Sequence, residues 1–425
     1  MEMDERSAIG FLPPRLLRAG ARQVARLGAE GFDARRLAVE SPWGLYGALG
    51  EALFWAALAR VEGDAEAAGR ALRMTEPVLG ALDGVAAGPA AASPRLGGFT
   101  GLGGTIWGLA TVAHLLGDAG LRRQALAAAE LVTAELIAED RLFDVIFGSA
   151  GALLALIALA EGERDAAARE RLLASARACA AHLLARRDPS GAWDAGGSGQ
   201  LQSGFAHGTS GIAFALLQLD RLAPDEACEE AAAAAFAFER TLYRAERDRY
   251  LPFRGFDPAG PLLVAWCWGA PGIALARSAA LGDPAVRREA EENLDRMLAQ
   301  KQTLEDHLCC GNLGRATIYA RFARGPEALR PPEHFAAEHR EVARLVASVL
   351  ARAQRRGLFG YGAADFDRPW MPGLLKGSPG IGYALLHLAA PSLIPCPLVL
   401  EAMPDAASTD GRPAGGGVDH IGQTP

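Results

Sequence analysis

The sequence predicts an all-α protein, an α/α toroid in which a ring of seven inner helices is surrounded by a ring of seven outer ones. Three observations carry this reading. A short Gly-x-x-Gly element recurs seven times along the chain. Each copy opens into an Ala/Leu-rich run that is apolar nearly all round, as a helix buried on every side should be. Between the copies lie amphipathic, charge-flecked stretches with one apolar stripe and a solvated face. Strand signals (alternating β-branched or aromatic runs with Asn-Gly turns) are essentially missing.

The copies begin with GALG at Gly47–Gly50, GLGG at Gly101–Gly104, GSAG at Gly148–Gly151 and GTSG at Gly208–Gly211. They continue with GAPG at Gly269–Gly272, GNLG at Gly311–Gly314 and GSPG at Gly377–Gly380. Their spacing of roughly 40 to 65 residues accommodates two helices and their loops per copy. The glycines permit a tight turn and close packing at a helix start. An open superhelical solenoid has the same periodicity. Closure into a ring is favoured because the first and last copies both look inner and neither resembles a polar cap.

The array implies one domain over residues 39–403. Residues 1–38 read as a basic amphipathic helical lead-in outside it (RLLRAGARQVARLGAEGF), and residues 404–425, rich in Gly, Pro, Asp and Ser, as a disordered tail. Half of the 425 residues are apolar, ample for a large core, and the formal net charge of −7 argues against a nucleic-acid partner. No apolar stretch approaches the ~20 residues of a membrane span, and the first residues lack the basic-then-apolar pattern of a secretory signal. A cytoplasmic location is therefore expected. In a reducing compartment six cysteines do not form a disulfide scaffold, and a vicinal pair is more readily a metal or redox feature.

Copies five and six differ from the others just before their glycines, reading Trp266-Cys267-Trp268-Gly269 and Leu308-Cys309-Cys310-Gly311. Equivalent positions of adjacent inner helices lie side by side in a toroid, so Cys267, Cys309 and Cys310 should converge. Three soft protein ligands with an open fourth position are the pattern of catalytic zinc, which would activate a thiolate. Cys179, Cys228 and Cys396 lie on outer helices or near the C-terminus and do not complete a structural site. His207, immediately before Gly208 in copy four, is expected at the same end of the ring, where it can take or give a proton. Asp144, four residues before Gly148, projects there too and can orient that histidine. Each residue also has a structural reading: a small core cysteine, an oxidised pair, a buried histidine, a capping aspartate. His307, two residues before Cys309, is a neighbouring group or stand-in ligand. His114, His182 and His387 sit on helices away from the glycines, His334 and His339 in a charged outer stretch, and His420 in the tail.

Taken together, these motifs resemble the lanthionine synthetase C-like cyclases, from about Pro42 to about Glu401. The segment GLLKGSPGIGYALLHLAAPSLIPCPLVLE is similar to the C-terminal end of class II lanthipeptide synthetases. In those enzymes a large dehydratase domain precedes the cyclase. None is present in these residues, so the chain is expected to be a stand-alone cyclase or a piece of a split synthetase, with a separate dehydratase as a possible partner. The resemblance implies zinc at one end of the toroid and a dehydrated precursor peptide as substrate. A peptide cysteine thiol adds to dehydroalanine or dehydrobutyrine, giving lanthionine or methyllanthionine rings, the chemistry of antibiotic biosynthesis. It makes His207 the acid/base, Asp144 its companion, and Cys267 and Cys309 ligands. Most members have Cys-His-Gly where this chain has Cys309-Cys310-Gly311; the Cys-Cys subset implies Cys310 as the third ligand. Some members carry an arginine at the position of Leu263. Other readings are glutathione addition to dehydrated residues, a non-catalytic peptide-binding scaffold and, least supported, a glycosidase, which needs two carboxylates facing the cavity.

A third cysteine thiolate raises the negative charge of the site, so a substrate thiolate should be less tamed and more nucleophilic. Cys310→His is expected to slow ring closure on a dehydrated peptide, followed as loss of free thiol. Equal rates across several substrates contradict this.

Overall fold

The fold is described by a computed structural model over residues 12–31, 41–87, 94–195, 198–257, 259, 264–323, 329, 335–362 and 369–404. Helix α1 (Pro14–Gly31) comes first. An inner helix followed by its outer partner then repeats: α2 (Ala48–Glu62) with α3 (Ala65–Ala87), and α4 (Leu102–Leu116) with α5 (Ala119–Glu130) and the short α6 (Ala134–Glu139). Next are α7 (Ser149–Glu161) with α8 (Ala166–Ala185), and α9 (Thr209–Leu222) with α10 (Glu226–Arg240). The last are α11 (Ala270–Arg277) with α12 (Pro284–Leu298), α13 (Asn312–Phe322) with α14 (Phe335–Arg356), and the inner α15 (Ser378–Ala389).

The seven inner helices start at the seven Gly-x-x-Gly elements, and the architecture is the expected α/α toroid. Consecutive inner helices are neighbours throughout, and α15 packs on α2, so the ring is closed rather than solenoidal. One feature departs from expectation. The lead-in helix α1 does not lie outside the array but packs along α15 and fills the seventh outer position. Its Leu17, Ala21 and Val24 are fully buried, the Gln23 side-chain amide donates to the Ala353 carbonyl, and Arg22 pairs with Glu62 at 2.9 Å. The remaining residues of the lead-in and the tail beyond Pro404 lie outside the described residues, as do Leu263, His334 and His420. The only strands among the described residues are a two-residue ribbon pairing Tyr243–Arg244 with Arg249–Tyr250.

Inner and outer helices start by different chemistry. The outer helices α5, α8, α10 and α12 are N-capped by Asp118, Asp165, Asp225 and Asp283, whose carboxylates accept from first-turn backbone N–H groups. The inner helices start at glycine with no side-chain cap. Their glycines are there for space. In copies three to seven a Cβ on the second glycine would lie 1.6–2.1 Å from the carbonyl oxygen six residues earlier, as between Gly380 and Leu374. The loop before each inner helix folds back onto that helix's first turn, and only a hydrogen leaves room.

Those folded-back loops are hydrogen-bonded to one another around the ring. Leu45 N donates to the Phe99 carbonyl (2.7 Å), Phe99 N to Ile146 (3.2 Å) and Ile146 N to Ala206 (3.3 Å). Trp266 N donates to Cys309 (3.1 Å), Cys309 N to Leu375 (3.0 Å) and Leu374 N back to Leu45 (3.1 Å). At the remaining junction, between copies four and five, the backbones meet by close approach. Gly204 has φ +91°, and a Cβ there would lie 2.3 Å from the Cys267 carbonyl oxygen. This belt fixes the register of all seven loops and sets every inner-helix N-terminus at one end of the toroid.

The axis of the ring is filled by the C-terminal segment. A 3₁₀ turn, Pro397–Val399, leads to Leu400, which is buried and would lie 3.0 Å from a Cβ on Gly98. Trp107 Nε1 donates to the Glu401 carbonyl (2.8 Å), and Arg321 pairs with the Glu401 carboxylate (2.7 Å). Gly380→Ala is expected to destabilise the protein by about 2–3 kcal/mol through overpacking. Gly80→Ala, on α3 with nothing within 4 Å of the new methyl, should stabilise it by about 0.5–1 kcal/mol. Denaturant midpoints of the two variants test the contrast.

Candidate metal and proton-transfer site

Because the belt fixes register, each loop presents corresponding residues to the same place. Two residues before the first glycine stand Leu45, Phe99, Ile146, Ala206, Cys267, Cys309 and Leu375, all buried. One residue later stand Tyr46, Thr100, Phe147, His207, Trp268, Cys310 and Lys376, all at least partly exposed. The inner set closes the floor of the mouth, and the outer set forms its rim. Cys267 and Cys309 are the two polar members of the floor, and Cys310 belongs to the rim.

The three cysteines do converge, with their Sγ atoms all within 4.8 Å of one another. Cys267 Sγ lies 3.6 Å from Cys310 Sγ, and Cys310 Sγ 3.4 Å from Cys309 Sγ. These separations exceed the S–S bond of about 2.05 Å, so the pair is not oxidised, and all six cysteines are free. They approach the edge of roughly 3.8 Å that tetrahedral sulfur ligands at ~2.3 Å from zinc would span. Donor type, count and spacing therefore suit a soft divalent ion with one position left open. Electrostatically the cluster favours one thiolate: hydrogen bonds from Cys309 and Cys310, and the nearby Lys376 charge, pull Cys267 below its usual thiol range against the cost of burial. The same contacts hold Cys309 and Cys310 up as donors. Seven inner-helix N-termini around the mouth add partial positive charge, roughly +0.5 each and felt mainly within a turn.

His207 and Asp144 also meet. His207 Nδ1 lies 2.9 Å from Asp144 Oδ2, while Asp144 Oδ1 accepts from the Phe147 backbone N–H at 2.6 Å. Asp144 is buried, which raises its carboxyl, and the hydrogen bond and charge of His207 work in the opposite direction. The imidazole is sandwiched by rim neighbours, stacking on Phe147 at 5.5 Å and tilted against Trp268 at 5.9 Å. Trp268 directly follows Cys267 and is anchored by Nε1 donating to Gln202 Oε1. The aromatic wall thus ties the histidine to the cysteine cluster.

Buried ionic groups hold both loops. The Glu239 carboxylate accepts from Gly204 N (2.8 Å) in the His207 loop, from Ser210 Oγ (2.5 Å) and from the fully buried Arg277 (2.7 Å). Asp306 accepts from Gly360 N (2.8 Å) and Asn312 Nδ2 (3.0 Å) and pairs with Arg352, pinning the loop of Cys309 and Cys310. His307 is not placed among the sulfurs. It is buried, its Nδ1 accepts from Cys310 N at 3.3 Å, and its Nε2 lies 3.5 Å from Glu305. Burial pulls its pKa down to about 4. The other histidines are elsewhere: His182 against the Asp140 carbonyl, His387 against the Ile394 carbonyl, His339 beside Tyr319.

Two rim residues escaped the sequence reading. Tyr46 projects from the first copy with its side chain part-exposed; desolvation at its hydroxyl and the field of Cys309, Cys267, Cys310 and Asp144 raise its pKa. Lys376 stands exposed in the last copy, on the loop whose Leu375 carbonyl accepts from Cys309 N. Both occupy the same position as His207, one residue before the first glycine, and aligning the copies on that glycine would have found them.

The chain belongs to the lanthionine synthetase C-like protein family, whose family model matches residues 41–399. Among solved structures it is similar to a nisin cyclase, with a TM-score of 0.63 at 17% identity, over 89% of this chain and 97% of that one. That likeness shows the toroid fold. An unsaturated glucuronyl hydrolase specific for heparin aligns at TM-score 0.44, with 12% identity over 81% of this chain and 98% of the other. A polysaccharide lyase aligns at 0.45, with 10% identity over 88% and 96%. No curated protein matches the sequence significantly. No helix among the described residues is long and apolar enough to cross a membrane.

Zinc titration of metal-stripped protein is expected to saturate at one equivalent. Alanine at Cys267, Cys309 or Cys310 should each weaken binding about 100-fold or more, since even outer-shell changes cost 10–100-fold. Competition against a chromophoric chelator measures this, with cobalt–thiolate absorption as a second readout.

Proposed function

We propose that this protein is a peptide cyclase that adds cysteine thiols to dehydroalanine or dehydrobutyrine in a precursor peptide, forming lanthionine or methyllanthionine. The observation that carries the proposal is the meeting, at one mouth of a toroid of this family, of three converging cysteine sulfurs and a His207–Asp144 pair. A zinc ion held by Cys267, Cys309 and Cys310 would supply Lewis acidity that makes a thiol acidic near neutral pH.

The chain's own residues account for the proton movements. Asp144 accepts the Nδ1 hydrogen of His207, so the neutral imidazole presents its Nε2 lone pair to the mouth, where it takes the proton of the incoming thiol. The sulfur lone pair forms a bond to the β-carbon, and the Cα=Cβ pair moves onto the α-carbon and carbonyl as an enolate. His207, now protonated, returns a proton to the α-carbon. One C–S bond and one C–H bond form, one S–H bond and one π bond are lost, and the mass is unchanged. Phe147 and Trp268 shield the imidazole from water on two sides and give the peptide an apolar rest.

A dehydrated, cysteine-containing peptide tests the reading. Loss of free thiol without mass change is expected. A glutathione-sized mass gain in the presence of that thiol indicates the glutathione reaction instead, and neither change indicates a binding scaffold. His207→Asn should lower the ring-closure rate by about 10²–10⁴-fold. Asp144→Asn should also slow it, since an amide no longer fixes the tautomer or supports the imidazolium. Unchanged rates in both would remove the pair from the mechanism.

A further inference from the structure

Of 43 Lys and Arg residues in this chain only two, Lys301 and Lys376, are lysine. Composition that has turned nearly every basic position to arginine leaves one of two ammonium groups on the rim of the mouth. Lys376 occupies the rim position of copy seven, and the bond from Cys309 N to the Leu375 carbonyl (3.0 Å) joins its loop to the loop that carries Cys310. It is exposed and, among the described residues, has no ion-pair or hydrogen-bond partner. Its charge acts on Cys267, Glu305 and His307, residues of the copy-five and copy-six loops. Going round the rim, His207 and Trp268 lie on one side of Cys310, and Lys376 and Tyr46 on the other.

The charge balance calls for a cation at this place. A dication held by Cys267, Cys309 and Cys310 as thiolates would leave the centre with one net negative charge, and Asp144 and Glu305 stand nearby. Addition then moves the electron pair of the attacking sulfur outward, so that a full negative charge arrives on a carbonyl oxygen four bonds away. The acid/base pair lies on one side of the sulfurs, and on the other Lys376 is unneutralised. Lysine suits the task better than arginine: its ammonium is a compact point charge with rotatable donors, whereas a guanidinium spreads its charge over a planar fork.

We propose that Lys376 is a catalytic residue whose ammonium group donates to the enolate oxygen formed on the dehydro residue, while His207 serves the proton on the opposite side. This deepens, and rests on, the cyclase reading above. Removing one preorganised donor to a developing oxyanion typically costs about 10²–10³-fold in turnover.

The test compares wild type, Lys376→Met and Lys376→Arg, each in its metal-loaded form, on one dehydrated peptide. Two readouts are independent of turnover: metal content, and the affinity for an unreactive peptide with alanine in place of the dehydro residue, followed by cobalt–thiolate absorption. The expected result for Lys376→Met is a fall of about 100-fold in kcat, with metal content and unreactive-peptide affinity unchanged. Lys376→Arg should recover part of the loss. The proposal is overturned if Lys376→Met closes rings at the wild-type rate, or if its defect lies wholly in metal content or peptide affinity. Failure of wild type itself to close rings, with full metal, overturns the cyclase reading and this inference together.

Discussion

The belt of backbone hydrogen bonds linking the seven pre-helix loops is the interaction on which the rest depends. A helix pair can slide and rotate against its neighbours, since apolar packing is not directional. Peptide hydrogen bonds are directional, and buried ones are costly to leave unmade. Hydrogen bonds at six junctions, with the close approach of Gly204 to Cys267 at the seventh, fix seven helix starts at one height. The steric demand on the second glycine follows from this, because a loop that must reach sideways to its neighbour must first fold back on its own helix. Sulfurs 42 residues apart in the chain, at Cys267 and Cys309, thereby become neighbours.

The belt also explains how one site holds opposite tendencies. Residues on its floor are buried and, apart from two cysteines, apolar; residues on its rim are polar or aromatic. Cys267 and Cys309 are sheltered, while Cys310 borders solvent. The loops that carry His207 and the Cys309–Cys310 pair are further secured by buried carboxylates, Glu239 with Arg277 and Asp306 with Arg352. Removing one partner of such a pair strands a charge in the core, at a cost of about 3–5 kcal/mol. These groups hold the two loops in place without touching the mouth.

Much of this was legible in the sequence. The inner helices announce themselves by an apolar character on all faces, and the seven glycine elements mark their starts. Cys267, Cys309, Cys310, His207 and Asp144 could be placed at one end because each stands at a fixed offset from a glycine. What was not legible depends on contacts between distant segments. Helix α1 looks like a free amphipathic lead-in until α15 is seen to have no other outer partner among the described residues. Tyr46 and Lys376 look like ordinary surface residues, since one exposed tyrosine or lysine has no signature of its own; only the register of the rim gives them a place. The Asp caps of the outer helices were readable in principle from their Gly-Asp, Arg-Asp and Pro-Asp turns, and would have fixed those boundaries.

The stoppered axis of the ring has a consequence for traffic. With Leu398 and Leu400 buried in the centre and Glu401 tied to Trp107 and Arg321, the toroid is a cup and not a tube. A chain cannot be fed through it end first. Under the proposed cyclisation, a peptide would dip in as a loop and leave by the way it came, so successive ring closures would require release or sliding across the rim. The span of the loop that reaches the floor, and not a threading order, would then select which residues that reaction joins.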